Sequence, residues 1–234
     1  MKILIVGSGR MGQLIEKTAE ARGHQVLAMG DKKESEALLE HKNEADVIVD
    51  FSHPDNLAWI TENFDLPLVE GTTGYGADHR ALLEQYSHGV PVFFASNYSV
   101  GIALLHRLVK LAGAALPDFD VEIIEKHHNK KADAPSGTAL SLLETVDPDG
   151  SQAHVFGREG RQPRAVREIG VHAVRGGTLP GEHEVLFLGS DEEVSLTHRA
   201  YSRQIFADGA LRAAEFVVSQ TPGLYDMEDL INEC

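Results

Sequence analysis

The sequence predicts an α/β protein in two parts: an N-terminal domain with a parallel β-sheet, and a second domain of α+β character. In the first hundred residues, short apolar runs recur about every twenty residues and alternate with stretches of helical periodicity. Such alternation is typical of successive βαβ units and hence of a parallel sheet. After a long apolar helix pattern at 101–116, strand-like runs follow each other with short connections, which indicates a mixed or antiparallel sheet.

The elements of the first domain follow from its apolar spacing. The predicted strands are 2–6, 25–29, 46–49, 66–69 and 90–95, and the predicted helices between them are 11–22, 34–41, 56–63 and 77–87. A last helix pattern begins near Phe206 and is stopped by Pro222 and Gly223, and we expect this helix and the tail to pack on the first domain.

The second domain contains strand-like runs at 119–125, 171–175, 184–188 and 193–200. The stretch 147–168 is rich in Gly, Pro, Asp and Arg, and we expect it to be a loop. We therefore assign residues 1–99 plus 208–234 to the first domain and residues 100–207 to the second.

The composition excludes several classes of partner. The net charge is −15, from 36 acidic and 21 basic side chains. A field of this sign repels phosphate backbones and anionic lipids, so nucleic acid and membrane surfaces are poor candidates, and an anionic substrate would need a local basic patch. The single cysteine, Cys234, allows no internal disulfide and no thiolate metal site, and we expect no bound metal. Because no signal peptide or transmembrane run is evident, we expect a cytoplasmic protein.

A glycine pattern, G-x-G-x-x-G, lies between the first predicted strand and the first predicted helix. Its residues are Gly7, Ser8, Gly9, Arg10, Met11 and Gly12. Gly7 would make the tight turn, Gly9 would let the backbone approach a pyrophosphate, and Gly12 would let helix and strand pack closely. The helix N-terminus would then receive the pyrophosphate. This position predicts a Rossmann-type dinucleotide site; a glycine-rich turn without ligand is the alternative.

The residues that follow the second predicted strand indicate which cofactor the site would accept. Asp31 lies nineteen residues beyond Gly12, where a carboxylate accepts hydrogen bonds from the adenosine ribose. Lys32 and Lys33 follow at once, and an ammonium group there could meet a 2′-phosphate instead. A solvated Asp-Lys-Lys turn is the alternative. Together with the glycine pattern, these residues predict a site that accepts both NADH and NADPH.

Three further loops follow strand ends, where ligands of doubly wound sheets bind. The first is 50–54. The second contains Gly71, Thr72 and Thr73, whose small side chains and hydroxyls would admit a nicotinamide ribose. The third contains Ala95, Ser96, Asn97 and Tyr98. Each alone would be an ordinary loop, and their repetition at strand ends favours cofactor binding.

The segment 125–139 concentrates reactive groups. Three lysines and two histidines fall within six residues, at 126–131, although the chain is strongly acidic. Adjacent histidines on a regular strand face opposite sides, so His127 and His128 are expected at a strand end, where both reach one pocket. The sequence from Pro135 to Thr138 is typical of a helix start, which is a second anion site. A solvated basic turn is the alternative, but the combination suits the proton-coupled reduction of a small dicarboxylate.

This segment resembles the signature of the dihydrodipicolinate reductases. Its string His-His-x-x-Lys-x-Asp-Ala-Pro-Ser-Gly-Thr is highly specific, and shorter matches at 7–12, 71–73, 95–98, 175–177 and 181–184 occur in the same order. The resemblance covers essentially the whole chain. Tyr98 stands where a phenylalanine is common in that family.

The resemblance implies roles for individual residues. His127 would be the general acid/base, Lys131 the proton donor that also engages a carboxylate, and His128 a substrate ligand. Gly137 and Thr138 would bind the other carboxylate. It further implies the substrate 4-hydroxy-tetrahydrodipicolinate, and a homotetramer built through the second domain. Another two-domain reductase, such as an aspartate or sugar dehydrogenase, or an NAD-sensing module, would share the first domain but not the segment from His127 to Thr138.

Overall fold

The computed structural model describes residues 1–233, and Cys234 lies outside the described residues. The chain forms two compact units. The first comprises Met1–Val100 together with the chain from Gln204 onward, and the second is Gly101–Arg203.

The first unit is built on a six-stranded parallel sheet. Its strands are β1 (Lys2–Val6), β2 (Gln25–Gly30), β3 (Val47–Asp50), β4 (Leu68–Glu70), β5 (Pro91–Phe94) and β11 (Gly223–Tyr225). Their order in the sheet is β11-β5-β4-β3-β1-β2. The helices are α1 (Arg10–Ala21), α2 (Ser35–Glu40), α3 (Asn56–Asn63), α4 (Ala77–Ser87), α7 (Gln204–Val217) and α8 (Met227–Asn232).

Burial explains why the central strands are apolar. Every residue of β3 and β4 is buried, and β1 is buried from its second residue onward. Strands covered on both faces by helices lose the alternation of polar and apolar residues and become continuous apolar runs. Helix α7 packs on α1 and on β4 and β5, and β11 pairs with β5. All five strands and four helices predicted for the first part of the chain are present, so the parallel α/β prediction is confirmed.

The second unit contains a mixed five-stranded sheet. Its strands are β6 (Asp120–His127), β7 (Ala153–Phe156), β8 (Glu168–Arg175), β9 (Gly181–Leu188) and β10 (Glu193–Ala200), in the order β10-β9-β6-β8-β7. Strand β6 pairs antiparallel with β9 and parallel with β8. Helices α5 (Val100–Ala115) and α6 (Gly137–Val146) contribute Leu105, Val109 and Leu142 to a core shared with Ile123 and Phe187. The α+β prediction is confirmed.

Two short edge strands depart from the expectations. The stretch 147–168 is not wholly a loop, because it contains β7, which pairs parallel with β8. Three of the four residues of β7 are exposed, so the strand has no apolar pattern and depends on the ladder with its neighbour. Strand β11 directly follows the stop after α7 and has three residues. Such a strand is too short for a periodic signal.

Candidate functional site

The glycine loop of the first unit has the geometry that the sequence predicts. Gly7 has a φ of +108°, a left-handed conformation that favours glycine, and its N–H donates to the Gly30 carbonyl at 2.7 Å. A Cβ on Gly12 would lie 1.8 Å from the Gly7 carbonyl oxygen, so helix and strand approach too closely for a side chain. A Cβ on Gly9 would meet no atom within 4 Å, which leaves its backbone open to a ligand.

Helix α1 begins directly after this loop, with Gly9 as its N-cap and no side-chain cap. Ser8, Arg10 and Met11 complete the loop and first turn, and the exposed side chain of Arg10 adds a positive charge to the helix N-terminus. An uncapped helix N-terminus beside an open glycine is suited to a pyrophosphate. The residues present therefore fit a dinucleotide.

Asp31 follows β2, the strand beside β1, and its Oδ1 accepts from the Lys33 backbone N–H at 2.7 Å. This bond orients the carboxylate at the strand end. Lys32 and Lys33 are exposed in the 3-10 turn that follows.

A pocket of about 320 Å³ lies in the first unit at the ends of β3, β4 and β5. Its lining includes seven of the residues predicted to bind cofactor: Met11, Gly71, Thr72, Thr73, Ser96, Asn97 and Tyr98. Phe51, Ser52 and Phe206 complete it. Ala95 is not among the lining residues. Phe206 was not predicted, because it belongs to the helix pattern near the end of the chain and only the fold brings it to these strand ends.

Glu125 organises the cluster in the second unit. Its side chain is fully buried on β6 and accepts two hydrogen bonds from Arg175, at 2.7 and 2.6 Å. It also accepts from the Ser136 backbone N–H at 3.0 Å and contacts His127 Nδ1 at 2.6 Å. Burial alone would raise the pKa of Glu125, but the hydrogen bonds from Arg175 and His127 outweigh it and hold the pKa below its usual value. The carboxylate therefore stays ionised and orients the imidazole.

His127 is the last residue of β6, so the strand end places it beside His128, as the sequence predicts. Burial lowers the pKa of His127 below its ordinary value, and Lys131 and Arg175 lower it further, while Glu125 opposes the shift. The imidazole is therefore neutral near pH 7, with Nδ1–H donating to Glu125 and the Nε2 lone pair available. His183 lies edge-on to it, with ring centroids 5.2 Å apart, and burial lowers the pKa of His183 to about 4.

The other predicted residues lie in the segment that follows. Lys131 Nζ pairs with Asp133 at 2.8 Å. His128 Nδ1 is buried and has no hydrogen-bond partner within residues 1–233. Helix α6 begins at Gly137 and Thr138, and its N-cap Ser136 accepts from the Ala139 N–H at 3.2 Å through Oγ. The predicted helix start is thus present, and its cap is linked to Glu125.

Sequence reasoning assigned no role to Glu125, Arg175 or His183. Glu125 lies two residues before His127, so the period-two alternation of a strand puts both on one face. That signal could have identified the pair. Arg175 and His183 come from β8 and β9, whose pairing with β6 no local pattern specifies.

The comparisons with known proteins agree with this geometry. Residues 1–98 match the family model described as dihydrodipicolinate reductase, N-terminus, and residues 101–231 match the model described as dihydrodipicolinate reductase, C-terminus. The chain belongs to the dihydrodipicolinate reductase family.

Several members of this family are similar over their full length. The 4-hydroxy-tetrahydrodipicolinate reductase of Alkaliphilus metalliredigens is 44% identical, with 99% of each chain covered. That of Staphylococcus carnosus is 43% identical over 99% of this chain and all of the relative. The dipicolinate-bound dihydrodipicolinate reductase from Paenisporosarcina sp. TG-14 is a structural neighbour with a TM-score of 0.78, 26% identity and 98% coverage of both chains.

As a member of this reductase family, the chain is an NAD(P)H-dependent oxidoreductase of lysine and diaminopimelate biosynthesis. Within residues 1–233, no helix is long and apolar enough to cross a membrane. The same residues contain no group of three or more His, Cys, Asp or Glu side chains arranged to hold a metal ion.

Proposed function

We propose that His127 and Lys131 perform the proton transfers in the NAD(P)H-dependent reduction of 4-hydroxy-tetrahydrodipicolinate to tetrahydrodipicolinate. The observation that carries this proposal is the neutral imidazole of His127, oriented by a buried carboxylate at 2.6 Å in the segment that also holds Lys131 and the start of α6. An acid/base, an ammonium group and a helix N-terminus are what a dicarboxylate reduction requires.

Each carboxylate of the substrate has a separate partner. Lys131 exchanges its ion pair with Asp133 for one substrate carboxylate, and the first amides of α6, at Gly137 and Thr138, receive the other. His128 offers its buried, unpartnered Nδ1 as a further ligand. The dipicolinate-bound state of the Paenisporosarcina neighbour supports a dicarboxylate of this shape.

His127 changes its protonation as the substrate binds. In the free protein, burial keeps the pKa of His127 low. A bound dianion adds two negative charges nearby, which favour the protonated imidazolium. The reaction releases the 4-hydroxyl group and a ring hydrogen as water, and it consumes one hydride and one proton. His127 and Lys131 donate and accept protons at these steps, through Nε2 and Nζ.

The glycine loop 7–12, together with Asp31, Lys32, residues 71–73 and residues 95–98, holds the dinucleotide, which when bound supplies a hydride to ring carbon four. Asp31 accepts from the adenosine ribose of NADH, and Lys32 accommodates the 2′-phosphate of NADPH. We further expect a cytoplasmic homotetramer that binds neither nucleic acid nor membranes, in agreement with the net charge of −15 and the family resemblance.

Steady-state kinetics on single variants test the proposal. His127→Ala should lower kcat by about 10²–10⁴-fold, the usual contribution of a general acid/base. Lys131→Ala should lower kcat and raise KM, because the ammonium group acts in both the ground state and the transition state. His128→Ala should mainly raise KM.

Lys130→Ala is the matched control, because Lys130 is an exposed lysine in the same turn that the proposal does not use. Dinucleotide affinity should change little in every variant, since the glycine loop belongs to the other unit. If His127→Ala keeps nearly full kcat, the assigned mechanism is wrong. If the variants of His127, His128 and Lys131 all lose dinucleotide affinity as well, the segment is a structural element.

A further inference from the structure

Two carboxyl groups that the proposed mechanism does not use lie side by side in the first unit. Asp50 ends β3 and Glu70 ends β4, and the two residues are partners in the parallel ladder. Both side chains are fully buried. The residues that directly follow them, 51–52 and 71–72, line the 320 Å³ pocket. The pair is therefore adjacent to the pocket without being part of its surface.

Burial and proximity favour one retained proton on the pair. Asp50 Oδ1 accepts from Ser52 Oγ at 2.5 Å, and Glu70 Oε1 accepts from the Thr72 N–H at 2.7 Å. The remaining oxygens, Asp50 Oδ2 and Glu70 Oε2, are buried and have no hydrogen-bond donor within residues 1–233. Two neighbouring carboxylates that are buried without a cation repel each other when both are ionised, so one of them retains its proton and the pair carries one negative charge.

The charge resides on Asp50 near neutral pH. Burial raises the pKa of Asp50 to about 6, and the hydrogen bond from Ser52 limits the rise. Burial and the neighbouring Asp50 raise the pKa of Glu70 well above its usual value. The other titratable groups that face the pair are Tyr75 and Tyr98, whose pKa values burial also raises, so both stay neutral and neither compensates the charge.

Strand order indicates which end of the dinucleotide meets this pocket. Asp31 follows β2, on one side of β1, while the pocket lies at the ends of β3, β4 and β5, on the other side. A dinucleotide with its pyrophosphate at the β1 turn and its adenosine ribose at Asp31 has its nicotinamide at the pocket. That ring is neutral when reduced and cationic after it has lost a hydride.

We propose that the Asp50–Glu70 pair presents one buried negative charge to the nicotinamide pocket, so that the pocket favours the oxidised, cationic ring over the reduced, neutral one. This inference rests on the dinucleotide site of the proposed function. A fixed charge in a poorly solvated site acts strongly on charge that develops nearby. Because the ring becomes positive only as hydride leaves, the pair stabilises the transition state more than the ground state.

The test is the ratio of the dissociation constants of NADH and NAD⁺, measured by calorimetry at pH 7.5 in the wild-type chain and two variants. Asp50→Asn removes the charge and should shift the ratio against NAD⁺ by roughly three- to thirty-fold. Glu70→Gln replaces a protonated carboxyl with an amide of the same shape, and should keep the ratio because the charge stays on Asp50. A purely structural role would change both affinities together and leave the ratio constant.

A pH series on the wild-type chain decides the question even if Asp50→Asn does not fold. Asp50 is ionised above its pKa of about 6 and neutral below it, so the preference for NAD⁺ should disappear between pH 7.5 and pH 5. NAD is the suitable ligand because it lacks the 2′-phosphate of NADP, which itself titrates near pH 6. Effects on the pyrophosphate are common to both redox forms and cancel in the ratio.

Two results would overturn the inference. If the ratio is independent of pH in the wild-type chain, or unchanged by Asp50→Asn, the ring does not sense the charge, although the dinucleotide site stands. If the wild-type chain binds neither NADH nor NAD⁺, the proposed function itself fails, and this inference fails with it.

Discussion

Replacing Glu125 with glutamine tests whether this buried carboxylate orients His127. The carboxylate uses one oxygen for Ser136 N–H and Arg175 Nη2, and the other for Arg175 Nη1 and His127 Nδ1. A glutamine keeps one acceptor oxygen, but its amino group then faces the second pair of donors. Either the Nδ1–H is left without an acceptor, or the imidazole changes to the tautomer with its proton on Nε2.

The size of the effect follows from these contacts. A buried donor left unsatisfied costs about 1–3 kcal/mol, and loss of one member of a buried ion pair costs about 3–5 kcal/mol. We expect the free energy of unfolding of the second unit to fall by about 2–5 kcal/mol, which lowers its melting temperature by about 8–40 °C. Because the altered tautomer no longer presents an Nε2 lone pair, kcat should fall by about 10²–10⁴-fold.

Urea unfolding followed by circular dichroism measures the stability. Fluorescence is unsuitable because the only tryptophan, Trp59, lies in the first unit. Glu184→Gln is the matched control. Glu184 lies on the neighbouring strand β9 and accepts exposed hydrogen bonds from Ser195 and Thr197, so its loss should change stability by no more than about 0.5 kcal/mol.

The pH dependence has a definite sign. Although burial alone would raise it, the pKa of Glu125 is held below its usual value by Arg175 and His127. The stabilisation is therefore complete above the unfolded pKa of about 4.3 and is lost as the pH falls through the lower folded value. The stability difference between wild type and Glu125→Gln should shrink in acid. An unchanged urea midpoint and kcat at pH 7 would refute the assigned role of Glu125.

Three further experiments test the rest of the site. Asp31→Ala should weaken NADH more than NADPH in a fluorescence titration, and equal losses would show that Asp31 does not bind the ribose. Gly12→Ala puts a Cβ 1.8 Å from the Gly7 carbonyl oxygen and should reduce dinucleotide affinity by at least about tenfold, whereas Gly76→Ala, whose Cβ meets nothing within 4 Å, should not. Pyridine-2,6-dicarboxylate should compete with the substrate in initial-rate assays, and Lys131→Ala should weaken that competition; no competition at millimolar concentration would contradict the dicarboxylate site.

Local patterns are sufficient to predict most of the fold and some of the geometry of the candidate site. The turn geometry of Gly7 and the close approach at Gly12 are properties of one short segment, so the glycine spacing is sufficient to predict them. The start of α6 is equally local, because Ser136 caps the helix with its own side chain. Strands β7 and β11 escape prediction because an exposed edge strand of three or four residues has no periodicity of its own.

The remaining interactions depend on sheet register rather than on spacing along the chain. Glu125 meets Arg175 because β6 pairs with β8, and Asp50 meets Glu70 because β3 pairs with β4. The sequence shows an acidic residue after a buried apolar run in both places, and an isolated carboxylate there would be costly to bury. The pairing of the strands shows how the free-energy cost of burying each carboxylate is reduced, and the two cases differ. Arg175 keeps Glu125 ionised, whereas burial and the neighbouring Asp50 make Glu70 retain its proton. The same residue type thus orients an imidazole in one unit and shares a charge in the other.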